Sequence, residues 1–568
     1  MNRRSFIGTM PAAGSLLASS PFSRLYADSS STVNAIREMS ADVVVIGGGM
    51  GGFAAAMGAL RNGLQVILTE ETDWIGGQVT QQGVPPDEHQ WIETHGATQL
   101  YRDFRNQIRD YYRDHYPLIT SARNKEYLNP GDGAVSRLCH EPKVALAVME
   151  AMLMPYLSAG QLKMLLHRKV LGAEVNGDTV QAVTLQHQLS GDEVSLTADY
   201  FVDATELGDL LPLSGTEYVT GAEAKSETGE LHAPEVANAA NQQAFTYCFA
   251  MDYVPDEEHV IEKPKNYDFW RQHTPDLTPP WPGKILSLYY SNPSTLEPKK
   301  LGFHPEGMPT GDMLNLWNYR KIINKNNFTP GFYPGDITIV NWPQNDYMLG
   351  NLIDVSADTF RKHIDQSKQL SLSLLYWLQT EAPRPDGGAG WSGIRLRPDM
   401  MGTQDGLAKY PYVRESRRIK AQFTVLEEHV GKANRAMVAS GEQAQTAASF
   451  YDSVGVGYYH IDLHPSSAGN NYIDFGSLPF QIPLGALLPQ RMTNLLPANK
   501  NIGTTHITNG CYRLHPVEWS IGEAVGLLVS YARKKKVMPS AVREKSELLK
   551  EFQNFVRMQG IETHWPKA

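Results

Sequence analysis

The sequence predicts an α/β fold organised around a parallel sheet, and three observations predict it. Residues 41–46, ADVVVI, make a short, β-branched and continuously apolar run, the pattern of a strand covered on both faces. Glycine fills five of the next six positions, 47–52, and the apolar spacing that follows as far as Asn62 is helical. A second apolar run, QVILTE at 65–70, ends on Glu70, with Glu71 next. Strand, glycine turn, helix and strand in that order describe a Rossmann-like unit.

Each part has a physical reason. Gly47, Gly49 and Gly52 stand in G-x-G-x-x-G spacing. One makes the tight turn, one lets the backbone approach a diphosphate, and one lets helix and strand pack closely. Gly51 lies beside them in the first helical turn, where free N–H groups attract phosphate charge. Glu70 is placed to hold ribose hydroxyls. The stretch ETDWIGGQVT then brings a second glycine pair, Gly76 and Gly77, followed by Gln78. Flavoproteins of the glutathione-reductase and fumarate-reductase type commonly carry such a pair, and enzymes that use NAD alone lack it.

Residues 162–203 read as short strands turning at 176–178 and 190–192, a β-meander. It ends in YFV followed by Asp203, Ala204 and Thr205, similar to the strand and turn that such domains place behind adenosine. Glu206 stands where they often have glycine. Far downstream, Pro516 suits the first position of a helix opened by His515, Glu518 suits its positive end, and the basic run 533–536 suits its negative end. Val517, Ile521, Ala524, Leu528 and Ala532 recur on one face, so this helix is expected to be buried.

On TDWIGGQ (72–78), DATELGDLL (203–211), YVRESRRI (412–419) and HPVEWSIGEAVG (515–526), the chain resembles the FAD-dependent oxidoreductase family of the glutathione-reductase and fumarate-reductase flavoprotein type. The resemblance implies a discontinuous Rossmann-like FAD-binding domain, three-layered ββα, joined in space from 41–215 and 480–540. It implies an inserted α+β substrate or cap domain at 216–479 and leaves 541–568 as a C-terminal tail. The cofactor-binding residues it implies are Gly47, Gly49, Gly51, Gly52, Glu70, Glu71, Gly76, Gly77, Gln78, Thr205, Asn501 and Gly522. The helix opened by His515 would face the pyrimidine end of the flavin, where its dipole favours negative charge on the reduced ring.

Composition limits the remaining possibilities. A chain of 568 residues, 42% hydrophobic, holds more than one core, and two or three domains are expected. A net charge of −10 and a pI near 6.0 leave no basic field for nucleic acid. Arg3 and Arg4 before Ser5, Phe6 and Ile7 resemble a twin-arginine export signal over 1–27, read by the export machinery and followed by a linker at 28–40. Gly8, Pro11 and Gly14 interrupt its apolar stretch, and no later run approaches the ~20 residues a membrane span needs. A periplasmic or otherwise exported location without a transmembrane anchor is therefore expected. Cys139, Cys248 and Cys511 cannot all pair, and no disulfide framework is expected.

Flavin oxidation of a C–H bond needs a base for the neighbouring O–H or N–H proton and donors that fix the substrate. His464, His506 and His515 are the base candidates. Arg417 and Arg513 are candidates for stabilising substrate or flavin charge, with Arg395, Arg397, Arg414 and Arg418 as further clamps. The RESRR stretch equally suits an ion-paired helix start around Glu415. His460 and His464 lie in strand-like YYHIDLH without a third ligand nearby, so no metal is expected. The expected activity is an exported FAD-dependent dehydrogenase or oxidase, drawing hydride from a small polar organic substrate and passing electrons to a quinone, a cytochrome or O2. Two alternatives stay open: fumarate-reductase-like reduction of an activated C=C, and a flavin-binding subunit without turnover.

Overall fold

In the computed structural model, which describes residues 37–307 and 313–566, the strands expected near 41–70 form the centre of a seven-stranded mixed sheet. The expected export signal at 1–27 lies outside the described residues. Along the chain come β1 (Arg37–Ile46), α1 (Met50–Leu60), β2 (Val66–Thr69), β3 (Leu162–Leu165), β4 (Arg168–Asn176), β5 (Thr179–His187) and β6 (Glu193–Asp203). Strand β7 (Leu495–Pro497) returns to the same sheet from far downstream. The order is β3-β2-β1-β6-β5-β4, with β7 on the C-terminal end of β6. Strands β3, β2, β1, β6 and β7 run parallel, whereas β4, β5 and β6 form an antiparallel meander. Helix α1 supplies the crossover that two parallel neighbours require.

Two details depart from expectation. Strand β1 begins at Arg37, inside the stretch expected as a linker, because residues 37–41 keep register with 194–198 of β6. Their side chains are mostly exposed, so the pairing rests on backbone and leaves no apolar signal. Strand β3, expected to open the meander, instead runs parallel to β2, Leu162 opposite Val66.

Helices α2 (His506–Tyr512) and α3 (His515–Lys535) follow β7. Helix α3 crosses α1 along a seam of small residues: a Cβ on Gly522 would run into the Gly51 carbonyl, and one on Gly526 into the Ala55 carbonyl. Each helical glycine costs roughly 1 kcal/mol of propensity relative to alanine, offset here by the close contact. All of α1 and the part of α3 from His515 to Ala532 are buried, as the spacing at 517–532 predicts.

Residues 216–479 add a four-stranded antiparallel sheet in the order Lys321–Ile323, Ile337–Val340, Phe249–Tyr253, Ile394–Leu396. The helix Ala357–Thr380 lies alongside, capped by Ser356, whose hydroxyl accepts the Thr359 N–H. Trp317 and Trp342 are fully buried, so the aromatic-rich 315–320 and 340–347 belong to the core. The 541–568 stretch carries the helix Ser546–Met558. Among the described residues, no helix is long and apolar enough to cross a membrane.

Candidate active site

The glycine turn takes its shape from what lies against it. Gly47, at φ +99°, donates its N–H to the Thr69 carbonyl at 3.1 Å, and a Cβ there would run into the Ala204 carbonyl. A Cβ on Gly51 would meet the Ala498 carbonyl, and one on Gly52 the Gly47 carbonyl. Gly76 (φ +107°) and Gly77 (φ +55°) fold the second pair back onto the first, Gly76 donating to the Gly48 carbonyl at 2.7 Å. At the end of β2, Glu70 accepts the N–H groups of Gly48 (2.9 Å) and Thr72 (2.8 Å), and burial raises its pKa to about 7. Glu71, also raised by burial, pairs with Lys169 at 3.3 Å. Thr205 donates its N–H and hydroxyl to Asp203 at 3.0 and 2.7 Å. Gly47, Glu70, Glu71, Thr205, Glu206 and Tyr410 line one cavity at the carboxyl ends of β1, β2 and β6, the place where open α/β sheets bind dinucleotides.

Next to this cavity the turn 498–501 is locked over α1. Asn501 donates to the Asp203 carbonyl at 2.9 Å and Asn499 to the Thr205 carbonyl at 3.0 Å. Lys500 Nζ bridges Glu206 (2.5 Å) and Glu518 (3.1 Å), and Gln78 donates to Glu518 (2.6 Å) and to the Arg513 carbonyl (2.9 Å). Glu206 Oε1, Gln78 Oε1 and both amide atoms of Gln82 are buried and have no hydrogen-bond partner among the described residues. Buried polar atoms are seldom left so unless a ligand or water meets them. An acid at the end of β2, two facing glycine turns and these unmatched amides suit FAD. Glu70 would hold its ribose, the glycine turns its diphosphate, and Gln78 and Gln82 its more distal polar atoms.

On the far side of Gln78 lies a buried network of ions and rings. Asp346, from the 340–347 core segment, sits 2.6 Å from His464 Nδ1 and 3.1 Å from Arg414. Burial works against its charge, but Arg414 and His464 prevail and hold it below the usual carboxylate range. His464 Nε2 faces Asp462 at 3.7 Å, beyond hydrogen-bond range. Asp462 binds Arg513 at 3.1 Å, and Arg513 also donates to the Tyr412 hydroxyl at 3.1 Å. Gln243 links this line to His506: its carbonyl oxygen accepts the His464 N–H, while its own N–H donates to Glu415, which lies 2.5 Å from His506 Nδ1. His515 Nδ1 accepts the Asp87 N–H at 3.1 Å, and Asp87 pairs with the buried Arg320 at 3.3 Å. Burial lowers His515 to about 4, so it is neutral at pH 7, with its proton on Nε2 near the Val84 carbonyl but in no well-formed bond.

The structure therefore gathers His464, His506 and Arg513 into one region through Gln243, Glu415 and Asp462, whereas His515, two residues beyond Arg513, is held by Asp87. Arg417 shares no partner with them. It binds Asp209 (3.0 Å), Asp354 (2.9 Å) and the Leu207 carbonyl, at the rim of the dinucleotide cavity. Gly522 faces Gly51 and contributes the close helix crossing. The RESRR segment is extended rather than helical, with Arg418–Ile419 paired to Tyr218–Val219, because its charges find partners on other elements instead of along one helix. Arg395 and Arg397 both bind the buried Asp252. Sequence reasoning missed Asp87, Arg320, Asp346, Asp462 and Lys500. Each is a charged residue whose own stretch, such as PPDEH, NYRK or PANKN, gives no sign of its partner until the chain folds. Among the described residues, no three His, Cys, Asp or Glu are grouped to hold a metal ion, and the three cysteines are buried and unbonded.

A cavity at the carboxyl ends of β1, β2 and β6, with two glycine turns folded against each other beside it, is the setting of a dinucleotide cofactor. The FAD dependent oxidoreductase family matches residues 42–556; the chain belongs to this family, and FAD is its cofactor. Among curated proteins nothing matches. Among solved structures, the chain is similar to a quinol fumarate reductase FrdA variant of E. coli at 11% identity, over 92% of this chain and 74% of that one, with a TM-score of 0.33. It is similar to L-proline dehydrogenase from P. horikoshii at 18% identity and a TM-score of 0.17, over 36% of this chain and only 28% of that one's length. The 3-ketosteroid-Δ4-(5α)-dehydrogenase of Rhodococcus jostii RHA1 matches at 18% identity and a TM-score of 0.20, over 30% of this chain and 47% of that one. Likeness at this level says nothing of the reaction.

Proposed function

We propose that this FAD-dependent oxidoreductase is an exported dehydrogenase or oxidase that draws hydride from an alcohol or amine carbon of a small polar substrate, with His464 as its base. The observation that carries this is the line Asp346, His464, Asp462, Arg513. His464 keeps 19% of its side chain exposed, whereas His506 and His515 are buried. Its Nε2 takes the proton of the substrate O–H or N–H, and Asp346 holds the ring and stabilises the imidazolium that results. Arg513, fixed by Asp462 and Tyr412, orients the substrate's polar group. Bound FAD supplies the hydride acceptor.

The arginines favour this direction over reduction of an unsaturated acid. Arg320, Arg414 and Arg513 are each already matched by a carboxylate, Asp87, Asp346 and Asp462. Clamping a dicarboxylate calls for uncompensated guanidinium groups. Arg3 and Arg4 support export, and export supports a quinone, a cytochrome or O2 as electron acceptor, since nicotinamides are scarce outside the cytoplasm.

The test is anaerobic mixing of the FAD-loaded enzyme with a panel of alcohols and amines. Substrate is expected to bleach the flavin, and His464→Asn to slow bleaching ~10²–10⁴-fold with FAD content unchanged. Flavin that no reduced substrate bleaches, but that unsaturated acids reoxidise, would overturn the direction. Replacing Arg3 and Arg4 by Lys is expected to hold the protein in the cytoplasm; normal export of that variant would remove the twin-arginine route.

A further inference from the structure

The ion cluster of Glu206, Lys500 and Glu518 has no part in the proton transfer assigned to His464. Glu206 is buried, and its unpartnered Oε1 lies 2.8 Å from where a Cβ of Gly49 would stand and 3.1 Å from that of Gly77. Its carboxylate therefore fills the gap between the two glycine turns, at the N-terminal end of α1. That gap is where a Rossmann-like turn brings its backbone against a diphosphate. An acid there repels the phosphates unless a cation stands beside it. Lys500 does so, its Nζ 2.5 Å from Glu206 and 3.1 Å from Glu518. The turn carrying Lys500 is rigid, held by Asn499 and Asn501 to the backbone of 203–205.

We infer that Lys500 is the counter-ion that admits the diphosphate of FAD beside Glu206, and that the charge of Glu206 is what makes the charge of Lys500 indispensable. The inference rests on FAD being the cofactor. Burial works against the lysine's charge, but the two acids keep it protonated, while burial raises Glu518. Glu206 thus replaces the glycine often found at this position without loss of the phosphate site, because its charge arrives with a counter-ion.

The test measures FAD binding to the apoprotein by quenching of flavin fluorescence, with thermal unfolding of each apoprotein as the control for folding. Lys500→Met is expected to weaken FAD binding by more than about tenfold. Glu206→Gln is expected to bind FAD as tightly as the unaltered chain or more tightly. The double variant, in which both charges are gone, is expected to recover to within about threefold of the unaltered chain. Lys500→Arg is expected to retain most of the affinity. If Lys500→Met folds and binds FAD normally, or if the double variant binds as weakly as Lys500→Met alone, the inference is overturned. An unaltered chain that takes up no FAD would instead overturn the cofactor assignment itself.

Discussion

Glu93 shows how single residues carry charge into this interior. Arg105 and Arg109, both 1% exposed, bind it at 2.5 and 2.6 Å, and Arg105 also binds Glu88 at 2.8 Å. Burial pushes the Glu93 pKa up, but the two arginines outweigh it and hold it down to about 2. A folded-state pKa below the unfolded one makes a contribution that is present above about pH 4.5 and is lost as pH falls through about 2. Glu93→Gln leaves Arg109 without its carboxylate, and a loss of ~3 kcal/mol is expected in urea unfolding at neutral pH. The difference from the unaltered chain should shrink as the pH is lowered; an equal difference at every pH would show that packing, not charge, is at stake. His515 obeys the same sign. Burial depresses it to about 4, so it suits a hydrogen-bonding role on a neutral ring better than proton uptake near pH 7.

At the scale of elements, the α1–α3 crossing decides the geometry of the glycine turn, since Gly51 sits in the first turn of α1 and touches both Gly522 and the Ala498 carbonyl. Gly526→Ala is expected to push the helices apart by the volume of one methyl group, lower stability by ~1–3 kcal/mol, and weaken FAD retention together with it. A variant with lowered thermal stability and unchanged FAD affinity would separate the seam from the turn. Helix α2 is capped by Thr505, whose hydroxyl accepts the Thr508 N–H at 3.1 Å and donates to Glu230 at 2.6 Å. Thr505→Ala is expected to cost ~1 kcal/mol, read as a lower unfolding midpoint with unchanged flavin spectrum.

At the scale of the whole molecule, proton linkage is dominated by buried acids. Glu70, Asp203, Glu230 and Glu523 are each raised by burial to about 7, whereas His140 and His515 are each lowered by burial to about 4. Raised acids bind protons more tightly when folded, so their contribution is full below the unfolded values near 4 and is lost as pH rises through about 7. The two histidines act oppositely over the same range, but four acids outnumber them. The apoprotein is therefore expected to resist urea better at about pH 5 than at about pH 8, with FAD-free samples compared at equal ionic strength. A stability maximum near pH 8 would mean that these acids are ionised in the folded chain.

The sequence by itself determined the local elements. The β-branched run at 43–46, the glycines at 47–52, the meander and the Pro516-started helix are each written in the spacing of neighbouring residues, which fixes period, turn and cap without reference to the remainder of the chain. Tertiary structure alone decided which charges meet. Arg414 and Arg417 look interchangeable within RESRR, yet one reaches Asp346 beside His464 and the other the rim of the dinucleotide cavity. Lys500 is unremarkable in PANKN until β7 carries its turn over α1 to Glu206. The reason is physical: backbone periodicity is a short-range property of the chain, whereas the pairing of buried charges depends on which distant segments the sheet and the helix crossing bring within a few ångströms.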